Sequence, residues 1–526
     1  MPPRKQKPPS APTTAQRLGG LLKSARNLMR KDKGLNGDLD RLPMLTWIMF
    51  LKFLDDAECV REEEATMAGE EYRATIEPPY RWRDWAAREE GITGDDLLRF
   101  VNQDEIADPQ DPEQRIPGLF KYLRGLRGAE GGDRRDVVRL VFAGVQNRMI
   151  NGYLLRDVVN LVNGIHFDAS EEIHTLGALY ETLLREMRDA AGDAGEFYTP
   201  RPVVRLMVQV VNPVLGETVL DPACGTGGFL SEAYAHLAHQ AQTVEDRKVL
   251  QGRSILGGEA KPLPYLLGQM NLLLHGLDAP KVEYGNSLAR PLHLMGEADR
   301  VDVILTNPPF GGEEEPGIQG NFPPDTRTSE TALLFLQLIM RRLRRGRGRA
   351  AVVVPNGTLF AEGAAGRIKR QLVEQFNLHT IVRLPEGVFA PYTSIPTNLL
   401  FFDESGPTRE VWYYAHPLPE GRRQYTKTKP LTYEELEPVT RWWGAREENE
   451  RAWRVPVERI FENGYNLDVK NPNAKPDPEH LPPERLVASI LEKERRIIGL
   501  LEEIRSDLGD RRIDDAGVTP SVGARA

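Results

Sequence analysis

The residues most able to do chemistry sit in VDVILTNPPFGG, from Val301 to Gly312, where an apolar, strand-like run stops at an amide. Two prolines and an aromatic ring follow. Proline fixes φ, lacks an N–H and restricts the residue before it. A turn of this kind holds the Asn307 side chain, and the carbonyls beside it, rigidly at a strand's C-terminal edge. In an open α/β sheet that edge is where ligands bind. Asn307, Pro308, Pro309 and Phe310 are therefore the candidate catalytic residues, although an ordinary strand-end turn would read the same way.

A second constellation is VLDPACGTGGFL, Val219 to Leu230. A strand ends at Asp221, and Gly225, Gly227 and Gly228 make a tight loop into a helix. A Walker loop needs Gly-Lys-Ser/Thr, and no lysine is present here. A dinucleotide fingerprint would bring pyrophosphate to the helix start, where Asp221 would repel it. S-adenosylmethionine suits the site better, because its α-ammonium and sulfonium are both drawn to an acidic loop. Glycines let the backbone lie against its nucleoside. A second acid is expected after the next strand for the ribose hydroxyls, and Glu259 in ILGGEAKP supplies it. GNSL, Gly285 to Leu288, stands where the third strand would end and could flank the adenine. Cys224 has no histidine or basic neighbour in sequence to make a thiolate, so it reads as a small loop residue.

These loops need a frame. From about 195 to 405, strands and helices alternate: ETVLD, FLSEAYAHLAHQ, RSILGGE, YLLGQMNLLLHG, VDVILT, TALLFLQLIMRRLRR, RAAVVVP, LHTIVRLP and PTNLLFF. Such alternation predicts βαβ units and a doubly wound, mostly parallel α/β sheet. Residues 1–15 read as a disordered basic tail. Residues 16–168 read as an α-helical domain, with Leu18, Leu21, Leu22, Ala25, Leu28 and Met29 on one helical face. The run Leu42–Leu54 is too short to span a bilayer and carries Lys52, so it reads as a buried helix. A helix at TLGALYETLLREM places Leu176, Leu179, Tyr180, Leu183, Leu184 and Met187 on one stripe and leads into the sheet region, 169–405. The remainder, 406–526, ends in a helix over about 484–508. There Val487, Ile490, Glu494, Ile497, Leu501, Ile504 and Leu508 step alternately by three and four, a heptad seam fit for a partner.

Composition bounds the class. The chain has 526 residues, 40% hydrophobic and 28% charged, as ordinary globular proteins have. Two cysteines, Cys59 and Cys224, exclude a disulfide framework and a cysteine-based zinc site, and no metal is expected. The N-terminus MPPRKQKPPSAPTTAQ has no apolar stretch behind it, so a cytoplasmic, non-membrane protein is expected. Net charge is −9, so composition advertises no basic face for nucleic acid. The local cluster RRLRRGRGR, Arg341 to Arg349, reads either as a solvated helix end or as a nucleic-acid contact.

DPACGTGGFL, NPPF and GEFYTP in one chain resemble the amino-group DNA methyltransferases that act on adenine N6. LGALYETLLREM…AGEFYTPRPVVRLMV and LPEGVFAPYTSIPTNLLFF resemble, more closely, the modification (HsdM) subunit of type I restriction–modification systems. The likeness is strong over roughly 170–405. It implies an S-adenosylmethionine-dependent methyltransferase fold and methyl transfer to N6 of a flipped adenine in double-stranded DNA. By this resemblance Glu196, Phe197, Tyr198, Thr199, Pro200 and Arg201 help bind the cofactor's methionine end. Thr226, Gly227 and Gly228 line the loop, and Glu259 holds the ribose. Asn286 stands where an Asp is common, with Ser287 as a neighbour able to substitute. Asn307 Oδ1 and the Pro308 carbonyl would each accept one N6–H bond, and Phe310 would stack on the flipped base.

The resemblance also implies partners: a separate specificity subunit, a second copy of this chain, and a restriction (nuclease/translocase) subunit. The acidic charge and the small region left after the sheet agree with recognition being delegated. Two rival readings remain at this point. One is methylation of a protein glutamine or an RNA base, which present a similar planar amide or amine. The other is a non-catalytic scaffold that only binds the cofactor.

Overall fold

The apolar run Leu42–Leu54 is the natural starting point, because an uninterrupted hydrophobic stretch must be buried on all sides. In the computed structural model it forms the middle of helix α2 (Asp38–Ala68), following α1 (Thr14–Met29). Every residue from Met44 to Asp55 is buried, and Lys52 is neutralised by Asp56 one turn on. The structure describes residues 14–507 except 89–90, 109–110, 112, 129–133, 168–176, 178, 185–198, 391–392, 394 and 474–482. The expected basic tail, apart from its last two residues, lies outside these. Among the described residues no helix is long and apolar enough to cross a membrane.

Leu18, Leu22, Ala25 and Met29 turn the buried face of α1 inward, as the helical period requires. Helix α3 (Gly152–Asn163) buries Leu155, Val158, Val159 and Val162 in the same core. This region is not purely helical. A short antiparallel ribbon pairs Glu105–Ala107 with Arg115–Pro117. Strands of three residues are too short to show an alternating pattern, which is why the sequence reading has only helices here. The described part of the expected linking helix, Leu179–Leu184, buries Tyr180, whose hydroxyl meets Thr46 Oγ1 of α2 at 3.1 Å.

The sheet then builds in order. Helix α4 (Arg201–Val211) precedes β1 (Val219–Asp221), α5 (Gly228–Ala238), β2 (Ile255–Glu259), α6 (Pro262–Leu274) and β3 (Lys281–Tyr284). After these come β4 (Val303–Thr306), α7 (Thr331–Arg342), β5 (Arg349–Pro355), α8 (Ala364–Gln375), β6 (Asn377–Arg383) and β7 (Thr397–Asp403). Two more strands, β8 (Glu410–Ala415) and β9 (Ala452–Pro456), complete nine. The spatial order is β9-β8-β6-β7-β5-β4-β1-β2-β3, parallel except for β7 and β9. The chain winds outward from β1 in one direction and from β4 in the other. The junction of β1 and β4 is therefore the switch point where such sheets bind ligands.

Side chains alternate across the sheet. Val303, Leu305, Ala351 and Val353 join one core, while Ile304, Ala350, Val352 and Val354 join another. The first core is continuous with that of the helical region, and Gly144 lies so close to α6 that a Cβ there would stand 2.5 Å from Pro262 Cβ. Burial on both faces explains why β4 and β5 read as unbroken apolar runs.

One expected boundary is corrected. The sheet does not end at residue 405, because β8 pairs in parallel with β6 and β9 pairs antiparallel with β8. Tyr413 and Trp453 face each other across that pair, their rings stacked at 5.2 Å. Both strands lie towards the sheet's edge, and the loop between them is rich in prolines and charges, which masks their strand signal. The contact pattern divides the chain at Pro472. Beyond that division α9 (Pro483–Asp507) is a 25-residue helix on which Val487, Ile497 and Leu501 are more than half exposed.

Candidate functional site

Asp221 ends β1, and Thr306 ends the neighbouring β4. The two strand ends are tied together by Thr306 Oγ1, which donates to Asp221 Oδ1 at 2.6 Å, and the same oxygen accepts the Ala223 N–H at 3.1 Å. Asp221 is buried, and its burial pushes the carboxyl up to about 7 against the pull of those two hydrogen bonds. Its charge is therefore poised near neutrality.

The glycine loop turns on Gly225 (φ 54°) and Gly227 (φ 75°), a left-handed conformation that side chains resist. Glu259, at the end of β2, folds this loop down. Its Oε2 accepts the Gly225 N–H at 2.9 Å, and its Oε1 accepts the Lys261 N–H at 2.7 Å. Burial raises its carboxyl as well. Cys224 is buried beside both acids, and burial pushes its thiol well above the usual range, so it is no nucleophile.

A cavity of about 390 Å³ lies over these strand ends. Of the residues expected from sequence, Thr199, Asp221, Gly225, Thr226, Gly228, Glu259, Asn286, Ser287, Asn307, Pro309 and Phe310 line it. Pro308 is buried beneath the turn and Gly227 caps α5; neither is part of the lining. Glu196, Phe197 and Tyr198 lie outside the described residues.

Arg201 and Pro200 stand apart from the cavity. Pro200 caps α4, and Arg201 pairs with Glu181 and donates to Gly228 O at 2.5 Å and Ser231 Oγ at 3.2 Å. The guanidinium thus braces the helix that follows the glycine loop from behind. A cofactor contact was expected of Arg201 because it follows the GEFYTP segment directly. The turn into α4 points its side chain at α5 instead.

Asn286 is committed on both sides. Its Oδ1 accepts the Leu288 N–H at 2.9 Å, and its Nδ2 donates to Glu314 Oε2 at 3.2 Å. Ser287 Oγ donates to Pro222 O at 2.7 Å. Asn307 is committed on one side only. Its Nδ2 donates to Thr199 Oγ1 at 3.1 Å, while its Oδ1 is buried without a hydrogen-bond partner among the described residues. An orphaned buried acceptor costs on the order of 1–3 kcal/mol, a cost that a ligand N–H would remove. Phe310 stands beside it, its ring 6.2 Å from Phe389 in an edge-on arrangement.

Sequence reasoning missed five contributors: Thr306, Lys261, Glu313, Glu314 and Phe389. Lys261 and Glu314 line the cavity, as Glu313 does. Thr306 and Lys261 lie inside VDVILTNPPFGG and ILGGEAKP, and Glu313 and Glu314 directly follow the first of these, but their contacts are set by the fold, as is that of Phe389. Among the described residues the lining carries four carboxylates, Asp221, Glu259, Glu313 and Glu314, against the one cation Lys261. An acidic, glycine-floored cavity fits a cationic nucleoside and repels a phosphate. A Cβ at Gly258 would come within 2.4 Å of Ser287 Oγ, so this wall admits no side chain at that position.

The basic cluster lies elsewhere. Arg344 and Arg347 pair with Asp302, Arg349 pairs with Glu217, and Arg342 donates to Asp299 O at 2.5 Å. These partners sit just before β1 and β4, at the edge opposite the cavity. Among the described residues no cluster of three or more His, Cys, Asp or Glu side chains could hold a metal ion.

Comparison with known proteins agrees with this geometry. The model of the N-6 DNA Methylase family matches residues 171–480, and that of the HsdM N-terminal domain matches 18–162. The Type I restriction enzyme EcoEI methylase subunit of Escherichia coli is 46% identical over 94% of this chain and 98% of its own. The EcoKI methylase subunit of E. coli K12 is 31% identical over 68% of this chain and 67% of its own. A crystal structure assigned as the modification subunit of a type I restriction enzyme from Vibrio vulnificus YJ016 superposes with a TM-score of 0.80. It shares 65% identity and covers 89% of this chain and 99% of its own. A chain from a study of complex assembly in a type I R-M system gives a TM-score of 0.77 at 41% identity. It covers 95% of this chain and 100% of its own.

Proposed function

This chain belongs to the type I restriction enzyme methylase subunits of the N-6 DNA Methylase family, and from that premise we propose which of its residues perform the transfer. It is an adenine-specific DNA methyltransferase subunit. The glutamine, RNA and scaffold readings have no support among its relatives.

The orphaned Asn307 Oδ1 is the observation that carries the assignment. The N6 amine of adenine is a poor nucleophile, because its lone pair is delocalised into the ring. Asn307 Oδ1 and the Pro308 carbonyl each accept one N6–H bond. Holding both N–H groups this way turns the lone pair out of conjugation. The bond from Asn307 Nδ2 to Thr199 Oγ1 holds the amide and leaves Oδ1 for the base. Phe310 offers a face on which the extruded base stacks.

S-adenosylmethionine, when bound, supplies an electrophilic methyl group on its sulfonium. Asp221, Glu313 and Glu314 attract its positive charges, while Gly225, Thr226 and Gly228 let the backbone approach. Glu259 receives the ribose hydroxyls on the carboxylate lone pairs that the Gly225 and Lys261 N–H groups leave open. Ser287 and Gly285 wall the adenine. No enzyme nucleophile takes part, in keeping with the buried, neutral Cys224, and positioning supplies much of the acceleration.

Partners follow from the same premise: duplex DNA, a specificity subunit that reads the sequence, a second copy of this chain and a restriction subunit. The seam of α9 and the helical region 16–168 are the surfaces we assign to assembly. The test is transfer of radiolabelled methyl to plasmid DNA, read as N6-methyladenine, with and without the co-expressed partners. Label that requires a partner supports the whole reading. Label from the chain alone would move sequence recognition into this polypeptide, and no label in either arm would overturn the function.

A further inference from the structure

The chain carries net charge −9, and its densest basic cluster is spent on Asp302 and Glu217 at the edge opposite the cavity. A site that works on a base in duplex DNA must nevertheless hold the phosphates on either side of it. The question is which cations stand on the catalytic edge.

The topology answers it. Strand β8 runs parallel to β6, with Ala415 opposite Arg383, so both strands end on the edge where Asp221 and Asn307 stand. The segment after β6 carries Phe389, whose ring meets that of Phe310. The segment after β8 reads HPLPEGRRQYTKTKP, His416 to Pro430, with four basic residues and one carboxylate. Its Tyr425 is 1% exposed and acts as the anchor. The Tyr425 N–H donates to Glu386 O at 3.0 Å, and a Cβ on Gly387 would stand 2.1 Å from Tyr425 O. Only glycine permits so close an approach. The two segments are thus locked together two residues before Phe389 of the aromatic pair.

The anchor faces inward and the cations face out. Arg422 is half-buried against Glu435 and lies over the Tyr425 ring. Arg423, Lys427 and Lys429 are exposed. Thr426 N and Lys429 N each bond to the other residue's carbonyl, which closes the tip into a tight turn and sets Lys427 at its apex.

We infer that this tip, Arg423 to Lys429, is a phosphate grip that holds the DNA backbone beside the extruded adenine. It rests on the function proposed above and adds the surface that composition failed to advertise. The side chains meet phosphates, not base edges, so the contact is indifferent to sequence. Recognition can then stay with another subunit while this loop fixes the strand for flipping.

The test uses the assembled complex with its specificity subunit and a fluorescein-labelled 30-base-pair duplex of random sequence, titrated over a range of KCl concentrations. The triple variant Arg423→Gln, Lys427→Gln, Lys429→Gln is compared with Arg345→Gln, an exposed change in the opposite cluster. The grip predicts roughly tenfold or greater loss of affinity near 0.1 M salt, and a log–log salt slope shallower by roughly 2 to 3, since each phosphate contact contributes about 0.9. Arg345→Gln should leave both at wild-type values. Methylation by the triple variant should recover at saturating DNA, and cofactor affinity should be unchanged. An unaltered salt slope overturns the grip. So does failure of the triple variant to co-purify with the specificity subunit, which would make the tip a protein-docking surface. Absence of methylation by the wild-type complex would instead sink the functional reading, and is scored separately.

Discussion

Asn307 Nδ2 donates to Thr199 Oγ1 at 3.1 Å, and this bond holds one end of the amide in place. With its nitrogen held, the side chain offers Oδ1, which is buried and has no hydrogen-bond partner among the described residues. Asn307→Ala should therefore lower methyl transfer by roughly 10²–10³-fold or more, the range seen when one preorganised polar group is removed from a reaction centre. Cofactor affinity should stay within about threefold of wild type by equilibrium binding. Thr199→Val should leave the amide free to turn and lower kcat by roughly tenfold, the worth of one hydrogen bond. Wild-type kcat in Thr199→Val would show that the amide needs no support.

Phe310 and Phe389 meet edge-on at 6.2 Å, so the second ring buttresses the first. Stacking of a base on an aromatic face is worth about 1–3 kcal/mol. In Phe310→Ala, a 2-aminopurine placed at the methylated position should brighten far less on binding, because the base no longer settles outside the helix. Phe310→Tyr should behave as wild type. Equal brightening in Phe310→Ala would remove the ring from the flipping step.

The two chemical motifs were legible in the sequence because each is local. A strand, a sharp turn and the reacting residues lie within a dozen positions, and glycine and proline mark the turns. Six of the first seven strands were legible for the same reason, since β1, β2 and β4 to β7 read as apolar runs, while the more exposed β3 was inferred only from GNSL at its end. Strands β8 and β9 were not, because they are set among charges and prolines with no helix of clear period between them. Thr306, Glu314 and Phe389 were invisible for a different cause. Thr306 and Glu314 stand beside the NPPF turn, but what they contact is set by the pairing of β1 with β4 and by the loop that follows, as the contact of Phe389 is set by the packing of the 384–390 turn. Arg201 shows the converse, since its place beside a family segment suggested a ligand contact while its side chain turned to brace Gly228.

The wall formed by Gly258 and Ser287 gives a test of the adenine side. A methyl group at 258 would stand 2.4 Å from Ser287 Oγ and 3.2 Å from Pro222 O. Overpacking of this kind typically costs about 1–3 kcal/mol. Gly258→Ala should lower the melting temperature by a few degrees and weaken cofactor binding. Adding Ser287→Ala removes the nearer atom, so the double variant should recover part of both losses. Purely additive losses in the cycle would show that the two positions do not share this wall.

Asp221 makes cofactor binding depend on pH in a stated direction. Its carboxyl lies at about 7 in the folded protein against an ordinary 3.8, chiefly through burial. A raised folded value means that the group's contribution to stability is complete at low pH and is lost as pH rises through 7. A cationic ligand reverses the preference, because it favours the ionised carboxylate. S-adenosylmethionine should therefore bind more tightly at pH 8 than at pH 6 and expel a proton as it binds near pH 7. S-adenosylhomocysteine, which lacks the sulfonium charge, should show a shallower dependence. Titration calorimetry in two buffers of different ionisation heat counts the proton directly. In Asp221→Asn the released proton should vanish and affinity at pH 8 should fall, because the neutral amide resembles the protonated acid and can no longer answer the positive charge. A proton still released by Asp221→Asn would assign the titration to another group, with Glu259, also raised by burial, the first to examine.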